Sequence, residues 1–233
     1  MFRIFGISHI IALLILVVSI VTFVMFLRHT DNRNNTVIIN ILFAVMLCLL
    51  VSQYIWLIAT GNFIWSKNLP ITMCGVTSIL CMTELFVKNK TLFEILFYTT
   101  IFAAIRALIT PDLFNDFPHY NFIRFFALHL TMLLVIFFIA MRYEFRLTWI
   151  SVIKSWFAFL VYAVMIFFYN IITDSNYLYL GKRTVFKTEL DYLGPYPYYF
   201  ITAAVLMFGL FAVIHLIYSG TYKVFVSDKE RMK

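Results

Sequence analysis

Long apolar stretches separated by short polar breaks make up nearly the whole of this 233-residue chain. They run from about Ile7 to Leu27, Val37 to Ala59, Leu69 to Val87, Leu92 to Ile109, Phe122 to Met141, Trp149 to Ile172 and Tyr198 to Tyr218. Each approaches the ~20 residues that an α-helix needs to cross a hydrocarbon core. The breaks carry chain-reversal chemistry: Asp31-Asn32-Arg33-Asn34-Asn35, Lys88-Asn89-Lys90 and Thr110-Pro111-Asp112. The first stretch is longer than the apolar core of a secretion signal and no small-residue cleavage site follows it, so it reads as a retained helix. The pattern predicts an all-α, polytopic seven-helix transmembrane bundle, with residues 1–233 forming a single transmembrane domain.

Composition narrows the class further. The chain is 63% hydrophobic and 12% charged, against roughly 25% charged in an average soluble domain. A soluble globular protein and a disordered one are both excluded. The net charge of +7 lies in short loops and the tail, where it sets topology; nucleic acid is not an expected partner, and membrane lipids are. With the N-terminus outside, the inner segments carry Arg28, Arg33, Lys88, Lys90, Arg142, Arg146, Lys154, Lys223, Lys229, Arg231 and Lys233. The outer ones carry Arg3, Lys67, Arg124, Lys182, Arg183 and Lys187. Eleven against six favours N-outside and C-cytoplasmic by the positive-inside rule. The loop from Thr173 to Pro197 then faces outward, with Tyr192, Tyr196, Tyr198 and Tyr199 suited to an interfacial belt. Cys48, Cys74 and Cys81 all fall within apolar runs without metal-type spacing. Neither a metal site nor a cofactor is indicated.

Ionisable and amide groups inside a membrane are expensive and mark function by default. Following the alternation of span direction, one membrane side receives His9 from the first span, Gln53 from the second and Cys74 from the third. The same side receives Arg106 from the fourth, His129 from the fifth, Asn170 from the sixth and Tyr198 from the seventh. Helix ends are also where polar residues are cheapest, so His9, Gln53 and Tyr198 fit headgroup anchoring equally well. His129 lies about 12 Å beyond Asn121 at ~1.5 Å per residue, too deep for that, whereas Arg106 has the length to snorkel outward. On the other side, Glu84 with Lys88 and Glu94 with Lys90 read as interfacial ion pairs at helical spacing. Asn68 and Pro70 suit the cap and first turn of the third span, with Cys74 just inside. That thiol is either a small buried hydrophobe or a nucleophile near the lipid–water boundary.

In chain order stand Leu69-Pro70 followed by Cys74, Arg124-Phe125-Phe126 before His129, and Asn170. After them come Asn176-Tyr177-Leu178-Tyr179-Leu180 and Leu190-Asp191-Tyr192-Leu193-Gly194-Pro195-Tyr196-Pro197-Tyr198-Tyr199. This order resembles the YwaF-type bacterial integral membrane family over nearly the whole chain. A distant eukaryotic branch comprises multi-span acyltransferases that remodel ether phospholipids through a cysteine. The resemblance implies a multi-pass protein of the bacterial cell membrane, with Cys74 as acyl acceptor, His129 as its catalytic partner and Asn170 as the matching asparagine. The family often has LPLHLC where this chain has Leu69-Pro70-Ile71-Thr72-Met73-Cys74, so Thr72 stands where a histidine is common.

Acyl transfer through a thioester requires a thiolate, which a nearby histidine, a cation or a helix N-terminus favours. Cys74 with His129 would form the catalytic pair, and Arg106, Asn170, His9, Gln53 and Tyr198 would bind a phospholipid or lysophospholipid. Two other classes stay open: a heptahelical receptor or sensor using the same polar pocket without turnover, and a transport or assembly partner. A transporter should show midplane polar groups or broken helices in related halves, and the sequence offers little of either. The charge bias predicts that reporter fusions place the tail after Lys223 in the cytoplasm; a tail accessible from outside intact cells inverts the topology.

Overall fold

The computed structural model describes residues 1–143, 145–180, 193–195 and 198–231, excluding the side chains of Asn32 and of 222–231. The basic turn at Lys182-Arg183, Lys187, the belt tyrosines Tyr192 and Tyr196, and most of the 190–197 block therefore lie outside the described residues. Among the described residues the fold is all-helical: α1 (Ile7–His29), α2 (Asn35–Ala59), α3 (Trp65–Asn68), α4 (Met73–Val87), α5 (Lys90–Ile109), α6 (Tyr120–Arg142), α7 (Trp149–Thr173) and α8 (Tyr199–Arg231). Short 3₁₀ turns at Asn32–Asn34 and Tyr177–Tyr179 complete it. The helices α1, α2, α5, α6, α7 and the Tyr199–Thr221 part of α8 are long and apolar enough to cross a membrane.

The expected third span is the exception. It has 15 helical residues, Met73–Val87, about 22 Å at 1.5 Å per residue against ~30 Å of hydrocarbon. The sequence points to Asn68 as its cap and Pro70 as its first turn; the structure starts it later. Asn68 instead closes the separate one-turn helix α3, its Oδ1 accepting the Ile64 N–H at 2.7 Å. Pro70 lies in the turn that follows, and Thr72 becomes the N-cap, its Oγ1 accepting the Gly75 N–H at 3.1 Å. That turn folds tightly onto the helix: a Cβ at position 75 would lie 2.8 Å from the Pro70 carbonyl oxygen, so glycine is required there. At the far end Lys88 adopts the left-handed conformation (φ 54°) and Asn89 caps α5 at once, accepting from the N–H groups of Thr91 and Leu92.

The chain divides into two compact units, 1–145 and 146–233. In the first, α6 is the centre: it packs against α1, α2, α4 and α5, and α4 also packs against α2 and α5. In α5 and α6, 61% of the apolar window is buried, against 11% in α1, so α1 presents most of its surface to lipid. Cross-helix links are few and specific. His9 is fully buried, its Nδ1 accepting the Phe5 N–H at 2.9 Å and its Nε2 donating to the Leu108 carbonyl at 2.8 Å. The Tyr120 hydroxyl on α6 donates to Ser52 Oγ on α2 at 2.8 Å. Glu84 and Lys88 do not form the expected interfacial pair: Glu84 is fully buried, while Lys88 Nζ lies 5.3 Å above the Tyr143 ring. In the second unit α7 and α8 pair, with Trp156 Nε1–H donating to the Ala204 carbonyl at 2.8 Å.

The loop between α5 and α6 is pinned to α1 by Asp116. Ser8 Oγ–H donates to its carboxylate at 2.5 Å and the Phe117 N–H at 2.8 Å. The Ser8 hydroxyl first, then that amide, hold the Asp116 carboxyl below the usual carboxylate range. A carboxyl depressed in the folded state binds its proton more readily when unfolded. Its stabilising effect is therefore present above the ordinary value of ~3.9 and is lost as pH falls through the folded value. Ser8→Ala is expected to lower the thermal midpoint near neutral pH, and the gap to wild type is expected to close in acid; a gap independent of pH contradicts the pinning.

Candidate active site

The shortness of α4 determines where its first residues sit. Cys74 is the second residue of α4, in the turn whose N–H groups have no acceptor within the helix. Thr72 Oγ1 takes the Gly75 N–H and the Val76 N–H bonds the Thr72 carbonyl, leaving the Met73 and Cys74 amides at the helix mouth. The Ser78 hydroxyl donates to the Cys74 carbonyl at 2.6 Å and touches Met132 Sδ at 3.3 Å, which ties this turn to α6.

Opposite it, α6 delivers His129, which is 2% exposed. Its Nδ1 lies 2.7 Å from the Phe125 carbonyl oxygen, and its Nε2 lies 3.2 Å from Cys74 Sγ. A carbonyl can only accept, so Nδ1 carries the ring proton and Nε2 presents its lone pair to the thiol. The Phe125 ring, 4.4 Å away between centroids, fixes the imidazole plane. The result is a thiol, an imidazole lone pair facing it and a carbonyl that orients the imidazole, the geometry through which a histidine can take a proton from a thiol. Two guanidinium groups act electrostatically on Cys74, Arg106 from α5 and Arg124 from α6. Among the described residues no cluster of His, Cys, Asp and Glu could hold a metal ion.

The expected polar groups distribute as follows. His9, Gln53, Cys74, Arg106 and His129 all belong to the first unit, and the links from His9 to Leu108, from Tyr120 to Ser52 and from His129 to Cys74 bring the relevant helix ends together. Cys74 and His129 meet directly. His9 has both ring nitrogens committed to backbone groups, so it ties α1 to the end of α5. Gln53 is half-buried on α2 and Arg106 is exposed on α5. Asn170 and Tyr198 belong to the second unit. There the Asn170 amide brackets Tyr177, accepting its N–H and donating to its carbonyl, both at 2.8 Å; Tyr198 is exposed. The sequence places Arg124 among the outer charges and in the Arg124-Phe125-Phe126 motif but gives it no role at the site, although it stands inside the apolar run five residues before His129. That position, an arginine within a span, was the available signal.

The other thiols have different surroundings. Cys81 is fully buried, with Sγ 3.6 Å from Thr100 Oγ1, and Cys48 is exposed midway along α2, on a surface bathed by hydrocarbon. Thiol chemistry runs through the thiolate, which neither setting favours. With a membrane-permeant alkylating reagent and peptide mapping, Cys74 is expected to react first. His129→Ala should slow that reaction by roughly 10²-fold, while Cys81→Ser leaves it unchanged. Equal rates at all three thiols contradict a special Cys74.

The sequence model of the TMEM164 family matches residues 4–215, which takes in α1 to α7, most of the membrane-crossing part of α8, and both members of the Cys74–His129 pair. No curated protein and no solved structure matches the chain.

Proposed function

The chain belongs to the TMEM164 family, a multi-pass membrane family, and on that premise we propose that it is a lipid acyltransferase working through a thioester on Cys74. The observation that carries the proposal is the 3.2 Å approach of His129 Nε2 to Cys74 Sγ, with Nδ1 held by the Phe125 carbonyl. The likeness in motif order to the YwaF-type family and its cysteine-dependent ether-phospholipid acyltransferases supports the same reading. It also supports a bacterial cell membrane as the location. With the N-terminus outside, the Cys74 end of the bundle faces the outer leaflet.

Cys74 Sγ attacks the carbonyl carbon of a phospholipid acyl ester while its proton passes to His129 Nε2. The first-turn amides of α4 and the charge of Arg106 meet the negative charge on the carbonyl oxygen. Collapse breaks the ester C–O bond, and the lysophospholipid leaves as an alcohol, taking the proton from Nε2. The acyl chain remains as a thioester. A lysophospholipid hydroxyl then attacks that thioester, gives its proton to Nε2, and expels the thiolate, which recovers the proton. The cycle is a transacylation that needs no cofactor. Thr72, where the resembling family often has histidine, serves as helix cap; His129 supplies the base. Gln53 is retained as a lipid contact at the same end. His9 and Asn170 are left out because their polar atoms are committed to backbone.

The test uses the purified full chain in vesicles with a phospholipid labelled in its acyl chain and an unlabelled lysophospholipid. Wild type is expected to move label to the lysophospholipid, Cys74→Ser to move none, and His129→Ala to be slower by about 10²–10⁴-fold. Saturable lipid binding by folded wild type without any transfer overturns the acyltransferase and favours a receptor or sensor.

A further inference from the structure

Arg124 is half-buried on α6, one turn past Tyr120, and among the described residues its Nε and Nη1 are buried without a hydrogen-bond partner. Guanidinium presents five donors and stays ionised in a protein. A buried cation with idle donors is unfavourable unless an anion takes them. Among the described residues the groups that act on it electrostatically are Tyr120 from its own helix, Tyr54 from α2 and Cys74 from α4, and none is a carboxylate. Arg106 brings a second guanidinium to the same thiol from α5. Two positive charges thus converge on the nucleophile from adjacent helices.

The depth of Arg124 says which anion fits. It precedes His129 by five residues, placing it about 7.5 Å nearer the start of α6 at 1.5 Å per residue. From the membrane surface inward the order is Arg124, then the Cys74–His129 pair, then the apolar body of the bundle. A glycerophospholipid repeats that order: phosphate toward water, ester carbonyls beneath it, acyl chains in the hydrocarbon. We propose that Arg124 forms a phosphate subsite beside the Cys74–His129 pair, taking the phosphate of a lipid headgroup or free phosphate. Arginine suits that task because its planar fork matches phosphate oxygens. Resting on the acyl-transfer reading, the subsite would select phosphate-bearing acyl donors and hold their ester over Cys74; the anion binding itself stands without turnover.

The test reads protection of Cys74 from N-ethylmaleimide, which requires no acyl transfer and so fails or succeeds independently of the transfer assay. The full chain in a phosphate-free, non-ionic detergent is titrated with dihexanoylphosphatidylcholine, dihexanoylglycerol or inorganic phosphate, and modification of Cys74 is followed by peptide mass. The phospholipid is expected to protect saturably, and the diacylglycerol only at concentrations about tenfold higher or more. Arg124→Gln is expected to erase that difference while helical circular dichroism is retained. Inorganic phosphate protecting at or below the phospholipid concentration, and losing that ability in Arg124→Gln, keeps the subsite and assigns its source to free phosphate. Protection by the phospholipid alone assigns it to the headgroup. Equal protection of wild type by phospholipid and diacylglycerol, with none from inorganic phosphate, overturns the proposal without reference to any variant. Unchanged protection by the phosphate-bearing ligand in folded Arg124→Gln overturns it as well.

Discussion

Inside a bilayer no water is at hand, so each polar group must find its partner in the protein or in what the protein binds. Most hydroxyls here meet that requirement locally. Thr77 donates to the Met73 carbonyl, Thr131 to that of Ala127 and Ser155 to that of Ser151. Such bonds satisfy the side chain on its own helix. His129 does both: Nδ1–H bonds the preceding turn of α6, and Nε2 reaches across to a thiol on α4. The local bond sets the tautomer, and the tautomer makes the distant one that of a base to an acid. Because α6 packs against every other long helix of its unit, the imidazole is held by one of the two most buried spans there.

The thiol depends on the abbreviated α4. A helix of full span would carry its N-terminus to the membrane surface. This one is about 22 Å long, begins after the folded-back turn around Pro70, and brings its first turn level with His129. Thr72 as cap and Gly75 as the residue without a Cβ under the Pro70 carbonyl make that start possible. Fold and chemistry are coupled there: the device that shortens the helix also sets Cys74 at its mouth.

The long spans were legible because a bilayer imposes a length on apolar runs that few other contexts require. The starts of α1 and α7 fall where expected, whereas α2, α5 and α6 start two residues earlier, since caps such as Asn89 and His119 act through geometry that apolar content does not record. The third span was misplaced at its start for a sharper reason. Asn68 and Pro70 make a good cap and first turn, but Asn68 is spent on α3 and Thr72 caps instead. Counting helix direction brought Cys74 and His129 to one membrane side; that they touch depends on packing between helices 55 residues apart in the chain. Polarity alone could not separate His9 and Asn170, whose partners are backbone groups, from His129, whose partner is a thiol. Arg124 was visible as a charge, but its burial was not.

The central claim is that Cys74 carries the acyl group covalently. Intact-mass measurement of the full chain after incubation with phospholipid, with no acceptor present, tests it most directly. An added mass equal to one acyl chain is expected, mapped to the peptide holding Cys74, removed by hydroxylamine and absent in Cys74→Ser. Unmodified protein that nevertheless transfers acyl chains, or an adduct that persists in Cys74→Ser, would contradict it.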